Sequence, residues 1–158
     1  MRFVCDQMFG TLASWLRLLG FDTFYTTQKI DDDELLVIAL SEKRTLLTRD
    51  KELVYRARKK QIPVVYIDSR ELNGQLKKVF EKSKIQIDDR LVLTRCSVCN
   101  GLLQPIDKNK VENRVPEHVY SFQNQFWQCK KCHKIYWNGT HYQKILDTIE
   151  KLKSDIYF

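Results

Sequence analysis

Lys43-Arg44-Thr45-Leu46-Leu47-Thr48-Arg49-Asp50 decides how the first half of this chain is read. Thr45 to Thr48 is a run of β-branched and apolar residues bounded by charge, the pattern of a short buried strand, and a carboxylate stands where it stops. Open parallel sheets place their chemistry at the carboxyl ends of strands, so Asp50 is a candidate site residue before any motif is considered. Two further acidic points repeat the arrangement. Phe3-Val4-Cys5 runs into Asp6, and Asp31-Asp32-Asp33-Glu34 opens the apolar-periodic stretch Leu35 to Leu40. Carboxylates from three separate segments, converging on one sheet edge, would bind a hard divalent cation such as Mg²⁺, which takes oxygen ligands. The bland alternative for each acid is a helix N-cap. Capping explains one of them well and three together less well.

The segments around this stretch alternate between strand and helix patterns. Met8, Leu12, Trp15, Leu16 and Leu19 have helical spacing, with Gly20 as the stop. Asp22 to Tyr25 reads as a short strand. Asp31 and Glu34 form a capping-box pair for a helix whose buried side is Leu35, Leu36, Ile38, Ala39 and Leu40. Lys51 to Lys60 is an amphipathic helix with a basic second half. Val64-Val65-Tyr66-Ile67 is another buried strand running into Asp68, which is read as a strand terminator, with a fourth ligand as the alternative. Leu72, Leu76, Val79 and Phe80 mark a further helix. Such alternation predicts right-handed crossovers and a mainly parallel sheet with helices on both faces, an α/β domain over residues 1–90.

Beyond Leu91 the texture changes. Cys96-Ser97-Val98-Cys99 and Cys129-Lys130-Lys131-Cys132 are two Cys-x-x-Cys knuckles with 29 residues between them. Four thiolates from two tight turns close a tetrahedral zinc site with no open position. Disulfides are disfavoured in a reducing compartment, and an iron–sulfur centre is the other possible occupant. Cys5 lies in a buried-strand pattern and reads as inert core. Tyr120, Phe122, Phe126 and Trp127 suggest short ribbon strands with exposed rings, continued by Ile135 to Gly139. Tyr142, Ile145, Leu146, Ile149, Leu152 and Ile156 mark a closing amphipathic helix. Residues 91–158 thus read as a small zinc ribbon with a C-terminal helix.

Composition sets the outer bounds. With 158 residues, 43% hydrophobic and 30% charged, the chain has the make-up of an ordinary globular protein. No apolar run approaches the ~20 residues of a membrane span, and Asp6 comes too early for a signal peptide, so a cytoplasmic location is expected. The net charge of +7 is spread over both halves. Residues 1–90 carry 17 Lys+Arg against 14 acids (+3), and residues 91–158 carry 10 against 6 (+4). A Cys₄ zinc site would reduce the total to +5. The bias permits a polyanionic partner such as RNA. Arg49, Arg56, Arg58, Lys59 and Lys60 are by default a solvated face, yet beside Asp50 they would suit a phosphate-backbone channel. On the ribbon, Trp127, Lys130 and Lys131 are the corresponding candidates, with aromatic rings as a base-stacking platform. His118, His133 and His141 are not needed as metal ligands.

Cys5-Asp6-Gln7-Met8-Phe9-Gly10-Thr11-Leu12-Ala13-Ser14-Trp15-Leu16-Arg17-Leu18-Leu19-Gly20-Phe21-Asp22, then Asp32-Asp33-Glu34-Leu35-Leu36, then Leu46-Leu47-Thr48-Arg49-Asp50 form three motif groups. Together they resemble the Mut7-C ribonuclease domain. The match continues through Arg95-Cys96-Ser97-Val98-Cys99-Asn100-Gly101 and Tyr136-Trp137-Asn138-Gly139-Thr140-His141-Tyr142, and so covers nearly the whole chain. The resemblance implies a PIN-like nuclease fold followed by a zinc ribbon, with RNA as the substrate. It also implies that Asp6, Asp32 or Asp33, and Asp50 hold Mg²⁺ or Mn²⁺, and that products carry 5′-phosphate and 3′-hydroxyl ends. PIN nucleases usually show a fourth acid, whose counterpart here is not evident. The expected function is metal-dependent endonucleolytic cleavage of RNA. The alternatives are a non-catalytic RNA- or ribosome-binding protein with a vestigial acidic site, or part of an RNA-processing complex, and a toxin-like nuclease held by an antitoxin. Oligomeric state is open.

Overall fold

The computed structural model describes residues 1–157, and the run at 45–48 is a strand in which every residue is buried. The first half places β1 (Arg2–Cys5), α1 (Gly10–Leu18), β2 (Asp22–Phe24), α2 (Asp32–Ser41), β3 (Thr45–Thr48), α3 (Lys51–Lys59), β4 (Val64–Tyr66) and α4 (Leu72–Ser83) in strict alternation. The four strands form one parallel sheet in the order β2-β1-β3-β4, with Cys5 opposite Leu47 and Thr48 opposite Tyr66. Alternate side chains of a strand point to opposite faces. Phe3, Cys5, Leu47 and Val65 accordingly join α1 and α4 in one core cluster, while Val4 and Leu46 join α2 and α3 in the other. Leu46 and Leu47 are fully buried. Truncating either to Ala would cost about 2–5 kcal/mol.

The second half carries a three-stranded antiparallel sheet of β5 (Leu103–Ile106), β6 (Phe126–Cys129) and β7 (Ile135–Trp137), a short helix α5 (Glu117–Phe122), and the closing helix α6 (Thr140–Tyr157). Its own small core is Val111, Val119 and Phe126. Helix α6 packs against α4 and lays Ile149 and Leu152 into the α1–α4 core cluster of the first half.

Three local expectations are corrected. Tyr120 and Phe122 lie in α5 rather than in a ribbon strand, because Pro116 precedes a turn of helix there; Phe122 is exposed and Phe126 is buried. Leu40 points to solvent, whereas Leu35, Leu36 and Ala39 of α2 are buried and Ile38, half-buried, packs against their cluster. Met8 sits in a 3-10 turn ahead of α1 and is exposed.

The junction between the halves is polar and built around Arg17. This residue falls on the buried side of α1 with Leu12, Ala13 and Leu16. Its guanidinium donates to the carbonyls of Thr23 at 2.9 Å, Ser97 at 3.1 Å and Val98 at 3.0 Å, pinning the first knuckle to the sheet edge. Asn100 completes the contact. Its amide donates to Asp22 Oδ1 at 2.8 Å, and its carbonyl oxygen accepts the Thr23 amide at 3.0 Å. Gly20, at φ +94°, lets the Leu91 backbone pass where a Cβ would stand.

Candidate active site and metal centre

The ends of β1 and β3 are neighbours in the parallel sheet, so the residues that follow them are brought together. The Thr48 hydroxyl, at the last position of β3, donates to Asp6 Oδ2 at 2.9 Å and accepts the Asp50 amide at 3.0 Å. Asp6 Oδ1 accepts the Gln7 amide at 2.7 Å. Asp50 is the N-cap of α3, its Oδ1 accepting from the amides of Glu52 and Leu53. The capping reading of these acids therefore holds, and it holds together with their proximity. Caps use part of each carboxylate and leave further lone pairs available.

Helix α2 brings the third acid. Asp31 is its N-cap, in a capping box with Glu34, and Asp32 and Asp33 occupy its first turn. The two behave differently. Asp33 is the more exposed and forms an ion pair with Arg56 of α3. The Asp32 carboxyl is pushed above the usual carboxylate range, by partial burial first and then by the negative charges of Asp6 and Asp50, with Arg56, 3.8 Å away, pulling in the other direction. Among the described residues the three acids do not form a group with all ligand oxygens within 4.8 Å of one another. They form a wider anionic mouth, of hard oxygen donors whose mutual repulsion a divalent cation would relieve, and in chemistry the donor set fits Mg²⁺ or Mn²⁺. Asp68 is exposed beyond β4.

The basic candidates are divided by the fold. Arg49 packs inward: its Nη2 donates to the Ser69 carbonyl at 2.8 Å, its guanidinium lies 5.6 Å from the Phe9 ring, and its buried Nε has no partner among the described residues. Arg56 pairs with Asp32 and Asp33. Lys59 lies over the exposed Tyr55 ring, and Arg58 and Lys60 are exposed. Lys130 and Lys131 are exposed on the second knuckle, and Trp127 is half-buried in β6, in register with Pro105 and Tyr136.

The thiols of Cys96, Cys99, Cys129 and Cys132 all lie within 4.8 Å of one another, a group close enough to hold zinc. Cys96 and Cys132 are 3.7 Å apart and Cys99 and Cys129 3.4 Å, against the about 3.8 Å edge of a tetrahedron with 2.3 Å Zn–S bonds. Both knuckles turn through left-handed residues, Asn100 at φ 71° and His133 at φ 65°. Backbone amides of Gly101 and Lys131 point at the Cys99 and Cys129 sulfurs at 3.4 Å, and the Tyr136 hydroxyl stands 2.9 Å from Cys96 Sγ. Such hydrogen bonds stabilise thiolate charge around a metal.

Sequence reasoning missed four residues here: Thr48, Arg17, Asn100 and Tyr136. Arg17 carried a signal, since a charged residue on the apolar side of a helix must find buried partners. Thr48 carried a weaker one, a hydroxyl at the end of a buried strand beside an acid.

A four-stranded parallel α/β sheet with acids at its carboxyl edge thus stands beside a group of four cysteines able to hold a metal ion. The model of the Mut7-C RNAse domain family matches residues 1–149, and the chain belongs to that family. The family's description points to a ribonuclease-type function, with RNA as substrate. Neither a search of curated proteins nor one of solved structures found a match.

Proposed function

We propose that this protein is an endoribonuclease that hydrolyses RNA phosphodiester bonds at the Asp6–Asp32–Asp50 mouth. The observation that carries the reading is the Thr48 hydroxyl, which ties the Asp6 carboxylate to the Asp50 backbone beside an Asp32 whose charge both of them oppose. Asp6, Asp32 and Asp50 would hold Mg²⁺ or Mn²⁺. When bound, such an ion supplies water activation and neutralises charge on the phosphate and the departing 3′ oxygen. The protein's own share is orientation. Thr48 and the α3 amides set the carboxylate directions, and Arg56 pairs most closely with Asp33 while standing 3.8 Å from Asp32. Hydrolysis adds water across the P–O3′ bond and leaves 5′-phosphate and 3′-hydroxyl ends.

A PIN-like assignment of residues 1–90 accords with this division of labour, in which residues 91–158 grip substrate and stiffen the fold around a structural zinc. A closed Cys₄ site has no open position for chemistry. Reduced, zinc-bound thiols accord with a cytoplasmic setting. Among the described residues no helix is long and apolar enough to cross a membrane.

The test is incubation of zinc-loaded protein, freed of other divalent ions, with structured and unstructured RNA, adding back Mg²⁺ or Mn²⁺, beside the Asp6→Asn/Asp50→Asn double variant. Ion-dependent cleavage by the wild type alone is expected. Equal cleavage by the double variant, or none by either with any ion, overturns the proposal; salt-dependent RNA binding without cleavage would leave a binding protein with a vestigial acidic site.

A further inference from the structure

All three tryptophans of the chain, Trp15, Trp127 and Trp137, line a single cavity of about 690 Å³ between α1, the ribbon sheet and the start of α6. That volume lies within the about 300–1,000 Å³ of ligand clefts. Trp15 comes from one half of the chain and the other two from the ribbon, so only the docked arrangement assembles the cavity. Each of the three rings is half-buried, neither packed away nor free in solvent. Tyr136 and Tyr142 add two more half-buried rings to the lining.

The charge on the lining has one sign. Arg95 and Lys134 contribute to it, and among the described residues no Asp or Glu does. Lys134 Nζ lies over the Tyr136 ring at 5.2 Å, and Arg95 is fixed by a 3.0 Å hydrogen bond from its Nη1 to the Asn100 carbonyl. Flat π-faces rimmed by cations suit a planar aromatic ligand attached to phosphate, and single-stranded nucleic acid offers both groups in every residue. A purely apolar peptide would leave the cations unused.

Helix α1 links the cavity to the acidic mouth. It begins at Gly10, just behind Asp6, and Trp15 lies about 8 Å further along its axis. The four-cysteine group adjoins the cavity through Tyr136, which lines it and places its hydroxyl 2.9 Å from Cys96 Sγ.

We infer that this cavity is a second RNA site, in which an unstacked base of a single-stranded segment inserts among the tryptophans while Lys134 and Arg95 meet its phosphates. The identity of the strand rests on the ribonuclease reading; the cavity is separate from the acids. It would confer a preference for substrates with an unpaired stretch near the cut, since a duplex holds its bases stacked and unavailable.

Because every tryptophan lines this cavity, intrinsic fluorescence reports it directly. The experiment titrates the zinc-loaded Asp50→Asn protein, without other divalent ions, with a single-stranded oligoribonucleotide, the same sequence as a duplex, and adenosine monophosphate. Saturable quenching by the single strand is expected, at concentrations where duplex and mononucleotide have no effect. Trp127→Ala should weaken affinity at least fivefold with zinc content unchanged and Trp127→Phe restoring it, and Lys134→Glu should weaken it and flatten its salt dependence. No quenching, equal quenching by duplex or mononucleotide, or affinity unchanged in both Trp127→Ala and Lys134→Glu, overturns the inference. If Trp127→Ala fails to fold, Lys134→Glu, whose change is confined to an exposed side chain, decides. Loss of quenching with metal-dependent cleavage intact would dismiss the cavity and spare the nuclease; quenching without cleavage in the wild type would do the reverse.

Discussion

Thr48 donates its hydroxyl to Asp6 across 2.9 Å, joining the ends of two strands whose residues lie 42 positions apart in the chain. The same oxygen receives the Asp50 amide, so one hydroxyl sets the spacing of two acids. Replacing Thr48 by the near-isosteric Val leaves the strand packed and removes both bonds. Stability should fall by about 1–2 kcal/mol, measured by urea denaturation, since the Asp50 amide is left without its partner. Mn²⁺ affinity should drop at least about tenfold, the usual cost of losing a group that orients a ligand. Thr48→Ser should recover much of both, and a Val variant with unaltered Mn²⁺ binding would remove Thr48 from the site.

Asp32 and Asp33 are adjacent; the charges of Asp6 and Asp50 oppose that of Asp32, while Asp33 makes the closer of the two pairs with Arg56. Mn²⁺ binding followed by calorimetry should therefore weaken strongly in Asp32→Asn and change less than about threefold in Asp33→Asn, whose pair is exposed. The opposite ranking would exchange their roles.

The four-cysteine group predicts one zinc per chain, released by thiol-modifying reagents and countable with a chromogenic chelator. Gly101→Ala tests the packing around it, because a Cβ there would stand 2.6 Å from Cys129 Sγ and 2.8 Å from the Lys131 Cβ. That variant should lose zinc at lower chelator concentrations than the wild type. Full retention would mean that the second knuckle can shift aside.

Asp22 ties the sheet edge to the ribbon. Burial raises its pKa, but hydrogen bonds from Asn100 and Arg44 and the charges of Arg44 and Arg95 outweigh that and hold it at about 2. A carboxylate near 3.9 in the unfolded chain and lower in the folded one stabilises the fold above pH ~4 and loses that contribution as pH falls through 2. The stability difference between wild type and Asp22→Asn should thus include a part of up to about 2 kcal/mol that is steady above pH ~4 and shrinks toward pH 2. A difference independent of pH over that range would mean the ion pair with Arg44 contributes nothing.

Alternation and spacing in the sequence determined the α/β layer, its parallel sense, the capping of α2 and the four cysteines. Each is a local matter: a buried strand needs a short apolar run, an amphipathic helix needs a period of 3.6, and a knuckle needs two cysteines three positions apart. Tertiary structure alone decided how Asp32 and Asp33 differ, because adjacent residues in a first helical turn differ by about 100° of rotation: Asp32 stands where Asp6 and Asp50 raise its pKa, and Asp33 makes the closer pair with Arg56. It alone decided that Arg17 and Asn100 staple the ribbon to the sheet and that Trp15 lines one cavity with Trp127 and Trp137. Those encounters join segments some 80 to 120 residues apart, and periodicity, which reports the neighbours of one turn or one strand, carries nothing about them.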